Sequence, residues 1–205
     1  MTDYGALARL GVATVHEAAG RIGIVDVPLT QVVPGSRVAG PARTALCAAG
    51  DNTMVHAAIA HASPGDVLVL TSLEPGPVAL VGELLATQAQ VHGVAGLLVD
   101  GAVRDLDELR ELGLPIWARF VRAQGATKGE VGKLDVPVVV GGTEIRPGDL
   151  VVMDCDGAMA LAGERVAEVL PLALERAERE RVMRKRYEAG ELSYDAHGLR
   201  DIVEG

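Results

Sequence analysis

Pro64-Gly-Asp-Val-Leu-Val-Leu-Thr71 and Gly96-Leu-Leu-Val-Asp100 decide the fold of this chain. Each is an unbroken apolar run, too short for a helix and without polar alternation. Such runs are strands buried on both faces, the texture of a parallel sheet. Between them, Gly82 to Val91 has helical spacing, with Leu84, Leu85, Ala89 and Val91 expected inward. Beyond them, Leu106, Leu109 and Leu112 continue as a helix stopped by Gly113 and Pro115, and Ile116 to Val121 is a third strand. Strand and helix alternate over short connections, which predicts parallel strands joined by crossover helices.

Upstream, Leu7, Leu10, Val15 and Ala18 mark a helical start broken at Gly11, with Thr14 and Glu17 in the spacing of a capping box. Arg37 to Cys47 reads as a strand interrupted by Gly40-Pro41, and Asp51-Asn52 opens a helix through Met54, Val55, Ala58 and Ile59. Downstream, Val136 to Val140, a Gly141-Gly142 turn and Thr143 to Arg146 form a β-rich stretch. Pro147-Gly-Asp-Leu-Val-Val-Met153 then repeats the turn-and-strand chemistry of Pro64 to Leu70. A long helix is expected from Gly163 to about Ala189, its stripe formed by Val166, Val169, Leu170, Ala173, Leu174 and Ala177. The division expected is a body over residues 1–174 and a C-terminal helical extension over 175–205. That extension still carries Leu192, Tyr194, Leu199 and Ile202, so it is expected to pack on a neighbouring subunit.

Composition excludes several functions. Apolar residues make up 49% of the chain, enough for a real core, whereas aromatics are 2% and leave no platform for stacking bases. The net charge of −9 offers no footprint for a nucleic-acid backbone, so no nucleic-acid partner is expected. Cys47 and Cys155 sit in no CxxC pattern, which argues against a disulfide framework or a Cys-rich zinc site. There is no apolar stretch long enough for a membrane span and no visible signal peptide, so the expectation is a cytoplasmic protein without a membrane partner. His16, His56, His61, His92 and His197 lack HExxH spacing and read as caps, surface groups or satisfied core residues. Asp154 and Asp156, in Asp-x-Asp-Gly, read as turn chemistry.

Chemistry concentrates in one segment. Gly82-Glu83 stands at a helix start, where free N–H groups favour an anion. Arg104-Asp105 follows a buried strand at its carboxyl end, where ligands collect in open α/β sheets. A guanidinium fork suits a carboxylate or carbonyl, and an adjacent carboxylate suits a hydrated divalent cation. By spacing alone, such a pair in a loop is more often a helix cap with a solvated partner.

Several blocks together resemble the RraA-like superfamily, and within it the class II pyruvate aldolases. They are Val15-His-Glu-Ala-Ala-Gly-Arg21, Gly40-Pro-Ala42, Gly50-Asp-Asn52, Gly82-Glu-Leu-Leu-Ala-Thr87, Asp100-Gly-Ala-Val-Arg-Asp105, Val136-Pro-Val-Val-Val-Gly-Gly142, Pro147 to Gly157, and Arg186-Tyr-Glu-Ala-Gly-Glu-Leu192. The aldolase branch is marked by an Asp, twenty intervening residues and then Arg-Asp. Here Glu83 takes the first position at that same spacing from Arg104. Its extra methylene would shift a bound water by about 1 Å.

The resemblance implies an α/β, layered β/β/α, swivelling-domain-like fold, assembled as a homotrimer or as a homohexamer of paired trimers. It implies cleavage of 4-hydroxy-4-methyl-2-oxoglutarate or 4-carboxy-4-hydroxy-2-oxoadipate to release pyruvate, with oxaloacetate decarboxylase activity. Arg104 would contact the pyruvyl unit, Asp105 would hold Mg²⁺ or Mn²⁺, and the N–H groups of Leu84 and Leu85 beside Gly82 would bind the substrate carboxylate. Glu83 would position a water for proton transfer, Glu17 and Glu180 would come from an adjacent subunit, and Lys128 also falls at a matching position. Neither Lys128 nor Lys133 lies in an apolar strand that would depress its pKa, which disfavours a Schiff base. The alternatives are a dedicated oxaloacetate decarboxylase and a non-catalytic, protein-binding regulator of ribonuclease E on the same scaffold. Glu83 and the segment from Glu178 to Gly205 favour the enzyme over the regulator.

Overall fold

The computed structural model describes residues 2–205; Met1, the first residue of the expected body, lies outside them. The chain opens with α1 (Tyr4–Ala18), β1 (Thr30–Gln31), β2 (Val38–Cys47) and α2 (Thr53–Ala60). The alternating middle follows: β3 (Val67–Ser72), β4 (Ala79–Val81), α3 (Glu83–Val91), β5 (Gly96–Val103), α4 (Leu106–Leu112) and β6 (Ile116–Val121). Then come β7 (Lys133–Leu134), β8 (Val138–Val140), β9 (Thr143–Ile145), β10 (Leu150–Asp154) and β11 (Gly157–Leu161). The chain ends in α5 (Val166–Glu188), α6 (Ser193–Ala196) and α7 (Leu199–Glu204).

The main sheet runs in the order β1-β6-β5-β3-β2-β10-β11, with β4 added to β5 and β7 to β2. Its centre is parallel, as the apolar runs predict, and its flanks are antiparallel. Strand β3 shows why its run is continuous. Leu68 and Leu70 point into a core shared with α2, α3 and α4, while Val67 and Val69 point into a second core beneath β8, β9 and β10. Both faces are covered, one by helices and one by strands, which is the β/β/α layering. A third core packs α1 and α5 on β10 and β11.

Gly40-Pro41 is where β2 changes partner. Residues 38–41 pair antiparallel with β10, and residues 42–47 pair parallel with β3. A Cβ on Gly40 would lie 2.4 Å from the Gly65 carbonyl oxygen, so the corner requires glycine.

Helix α1 is broken at Gly11, as expected, by a residue at φ 80°. Its second half is capped differently from the capping box expected at Thr14: Val12 N–H donates to Asp154 Oδ2 at 2.9 Å, from the end of β10. Asp154 Oδ1 accepts from Asp156 N–H at 2.9 Å, so both its oxygens serve backbone and the Asp-x-Asp-Gly segment is the β10–β11 turn. In α3, Leu84 and Val91 are exposed rather than inward, and Leu85, Ala86 and Ala89 form the buried face. In α5, Val166, Val169 and Ala173 are buried, whereas Leu174 is exposed. This helix carries the chain through residues 174–175 without a break. Among the described residues no helix is long and apolar enough to cross a membrane.

Candidate active site

The parallel strands β4 and β5 end side by side, and a cleft of about 310 Å³ opens above them. Its rim comprises the start of α3, the residues after β5, the start of α2 and the loop 125–130. As the chain leaves β5, Arg104 N–H still donates to the Val81 carbonyl of β4 at 3.1 Å. Asp105 then turns through the left-handed region at φ 60°, and its carbonyl accepts from Leu109 N–H to open α4. Aspartate is one of the few non-glycine residues that tolerate that region.

That turn puts Asp105 Oδ2 3.1 Å from Glu83 N–H, the first amide of α3, and 3.6 Å from Arg104 Nε. The two side chains are packed against glycines. A Cβ on Gly82 would lie 2.5 Å from Asp105 Oδ2 and 3.1 Å from Arg104 Cγ and Nε, and one on Gly125 would lie 2.5 Å from Arg104 Nη1. Arg104 is therefore held between two backbones that carry no side chain. Leu84 and Leu85 follow in the first turn of α3, where amides have no intrahelical acceptor. A helix N-terminus, a guanidinium and the Lys128 ammonium thus line one cleft of an acidic chain, a local positive field that draws an anion.

Lys128 is placed by Asp51. This carboxylate is buried, accepts from Thr53 N–H at 2.7 Å and takes the Thr127 hydroxyl at 3.1 Å and Glu130 N–H at 3.3 Å. Burial pushes the Asp51 carboxyl up. The hydrogen bonds from Thr53, Glu130 and Thr127 outweigh that and hold it below the usual carboxylate range. The loop 125–130 is in this way clamped to the start of α2.

Gly82, Leu84, Leu85, Arg104, Asp105 and Lys128, all expected at the site, line the cleft together. Glu83 contributes its amide; its carboxylate accepts from the Thr87 hydroxyl at 2.8 Å, one turn along α3. Glu17 and Glu180 do not line the cleft. They converge instead on Arg176, at 3.7 and 2.9 Å, and Arg21 holds the Glu17 carboxyl below its usual range through a hydrogen bond at 3.1 Å.

Several cleft residues escaped the sequence reading, Asn52 and His56 among them. Asn52 was legible as a helix opener and as part of a resembling block, with no role at the site, and His56 as a cap, surface or satisfied core group. Both line the cleft, and each leaves a buried polar atom, Asn52 Oδ1 and His56 Nε2, without a hydrogen-bond partner. The one signal that could have found them is their i, i+4 spacing at the start of α2, which puts them on one face. Cys47 lies in the core near Asp51, and burial pushes its thiol up to about 12, so it is packing sulfur and not a nucleophile.

Comparison with known proteins matches residues 12–160 to the RraA-like family described as Aldolase/RraA. A protein of Halalkalibacterium halodurans named "Putative 4-hydroxy-4-methyl-2-oxoglutarate aldolase" is 39% identical over 67% of this chain, and the match spans 65% of that relative's length. A solved structure described as an unusual member of the RNase ES inhibitor RraA protein family, from Streptomyces coelicolor, is 32% identical with a TM-score of 0.77. It covers 88% of this chain and 94% of its own. An uncharacterized protein from Pseudomonas syringae pv. tomato is 25% identical with a TM-score of 0.84. That match covers 96% of this chain and 92% of its own.

Proposed function

The chain belongs to the RraA-like, Aldolase/RraA family, and from that premise we propose that it is a divalent-metal-dependent aldolase that releases pyruvate from a 4-hydroxy-2-oxo acid. 4-Hydroxy-4-methyl-2-oxoglutarate and 4-carboxy-4-hydroxy-2-oxoadipate are the substrates in view, with oxaloacetate decarboxylation as a further activity. The observation that carries the reading is the convergence of Arg104, Asp105 and the α3 N-terminus on one cleft under Gly82.

In aldol cleavage the C3–C4 bond breaks. Its electron pair becomes the enolate of pyruvate, and C4 becomes a carbonyl as its hydroxyl gives up a proton. Loss of CO₂ from oxaloacetate leaves the same enolate. Arg104 is a fixed cation where that charge develops, and preorganised charge of this kind is the largest single term in many enzymes. The amides of Leu84 and Leu85 bind the substrate C1 carboxylate, and Lys128 adds a second cation.

The residues fit a hydrated cation. Asp105 spends one oxygen on Glu83 N–H and has a second to offer, and Mg²⁺ or Mn²⁺ is commonly held by one or two carboxylates while keeping several waters. An ion held there would supply Lewis-acid stabilisation of the developing enolate charge. Asp105 would be its holder. The Glu83 carboxylate, which takes the Thr87 hydroxyl and is not among the groups lining the cleft, would have to turn toward it to position the water that moves the proton. Glu17 and Glu180 reach the site from a second copy of the chain in a homotrimer or homohexamer. Within their own chain the two share Arg176, outside the cleft.

The test is a coupled pyruvate-release assay on oxaloacetate and both aldol substrates, with Mg²⁺ and with EDTA. Turnover is expected to need the metal, and Arg104→Ala and Asp105→Ala are each expected to lose at least ~10²-fold. A second reading, a protein-binding regulator of ribonuclease E, draws on the likeness to the Streptomyces coelicolor structure. Pyruvate release no faster than the protein-free background, and unchanged by chelation and by both substitutions, would put that reading first.

A further inference from the structure

We infer that Asn52 reads the C4 hydroxyl of the aldol substrate and thereby separates aldol cleavage from decarboxylation in one cleft. This rests on the function proposed above. It starts from an amide whose orientation has one solution. Asn52 is 7% exposed, and its Nδ2 donates to the Leu80 carbonyl at 3.0 Å. A carbonyl only accepts, so the NH₂ end faces Leu80 and Oδ1 faces away from it. There Oδ1 is buried without a partner, on a residue that lines the cleft. Buried polar atoms are nearly always satisfied, and an orphan of this kind costs about as much as a lost hydrogen bond.

A ligand that displaces solvent from the cleft has to bring a donor to that acceptor. A ligand ammonium is disfavoured, because Arg104 and Lys128 line the same cleft and Asp105, the one carboxylate on it, is taken up by the divalent ion in the function proposed above. Carboxylates and ketones only accept at neutral pH. A neutral hydroxyl remains. In a 4-hydroxy-2-oxo acid, the C4 hydroxyl is the one group on the carbon chain that can donate, and oxaloacetate has no hydroxyl there. The α2 wall that carries Asn52 lines the same cleft as the start of α3, so a substrate with its C1 carboxylate on α3 would have that wall within the cleft for its remaining groups. His56, one turn along α2, leaves Nε2 buried and unpartnered on the same cleft, so that wall is polar at two points. An amide cannot take the hydroxyl's proton. Asn52 is a specificity residue and not the base.

The experiment measures Asn52→Ala and Asn52→Ser side by side on 4-hydroxy-4-methyl-2-oxoglutarate and oxaloacetate, with Mg²⁺. The Asn52 side chain makes no capping bond to α2; serine, a favoured residue at a helix start, withdraws the acceptor from the cleft while supporting that start, which guards against a misfolded alanine variant. Losing the Leu80 bond strikes both substrates alike, so the ratio of the two activities isolates the hydroxyl contact. The kcat/KM for the aldol substrate is expected to fall about 10- to 100-fold relative to that for oxaloacetate. Equal losses on both substrates, or no loss on either, would overturn the inference and leave the aldolase reading standing. A wild-type chain that releases pyruvate from neither substrate would overturn both.

Discussion

Replacing Gly82 with alanine probes the site without touching a charged group. The residue caps α3 at φ −127°, extended backbone that alanine adopts freely, so no backbone strain is expected. The added methyl would lie 2.5 Å from Asp105 Oδ2 and 3.1 Å from Arg104 Cγ and Nε. Ordinary contact begins near 3.4 Å, so the carboxylate oxygen has to retreat by about 0.9 Å. Asp105 has little freedom to do so, because its backbone is held left-handed and Oδ2 is the acceptor for Glu83 N–H. The retreat stretches that bond beyond hydrogen-bonding distance and displaces the guanidinium beside it. A misplacement of about 1 Å costs on the order of 10² in rate. The stability cost is smaller, about 1 kcal/mol, since one exposed charge-assisted hydrogen bond is lost while the unfolded chain loses entropy. Pyruvate-release kinetics and a denaturant titration on Gly82→Ala measure the two effects separately. Wild-type kcat/KM in a folded Gly82→Ala protein would refute the argument that this glycine exists to let Arg104 and Asp105 approach.

Two further predictions concern groups behind the cleft. Asp51→Asn removes the charge that clamps loop 125–130, and is expected to raise KM several-fold through Lys128, an effect that should vanish in a Lys128→Ala background. The folded Asp51 carboxyl is held below its usual range, so its stabilisation is present above the unfolded pKa near 4 and is lost as pH falls through the folded value. The stability gap between wild type and Asp51→Asn, measured by urea titration, should therefore be full at pH 6 and shrink below about pH 4. With Cys47 buried at a pKa of about 12 and Cys155 exposed, a thiol reagent at pH 8 should label Cys155 alone in the native protein, and both thiols in urea.

The parallel centre of the sheet was legible because burial on two faces leaves no alternation in a strand, and β3 and β5 show none. The break at Gly11 was legible for a similar reason, since glycine marks local backbone need. Strand β11 escaped because Gly157-Ala-Met-Ala-Leu161 has no β-branched residue; its pairing with β10 makes it a strand. The cap on Val12 escaped because its acceptor, Asp154, is distant in sequence, and no local pattern can carry that. At the site, Gly82, Arg104 and Asp105 were readable from their spacing together with a resemblance to known proteins. The clamp at Asp51 and the bare oxygen of Asn52 were not. Partnered and unpartnered polar atoms are properties of the folded surroundings, and Asn52 would read the same had its oxygen met a donor.

The central claim is that one cleft seats a 2-oxo acid against Arg104 and a divalent cation against Asp105. A crystal of the protein grown with MnCl₂ and pyruvate, measured for anomalous scattering, tests it most directly. A manganese peak is expected within coordination distance of an Asp105 carboxylate oxygen, with the pyruvate carboxylate on the amides of Leu84 and Leu85. Manganese found only at the Asp154–Asp156 turn, with no pyruvate in the cleft, would contradict it.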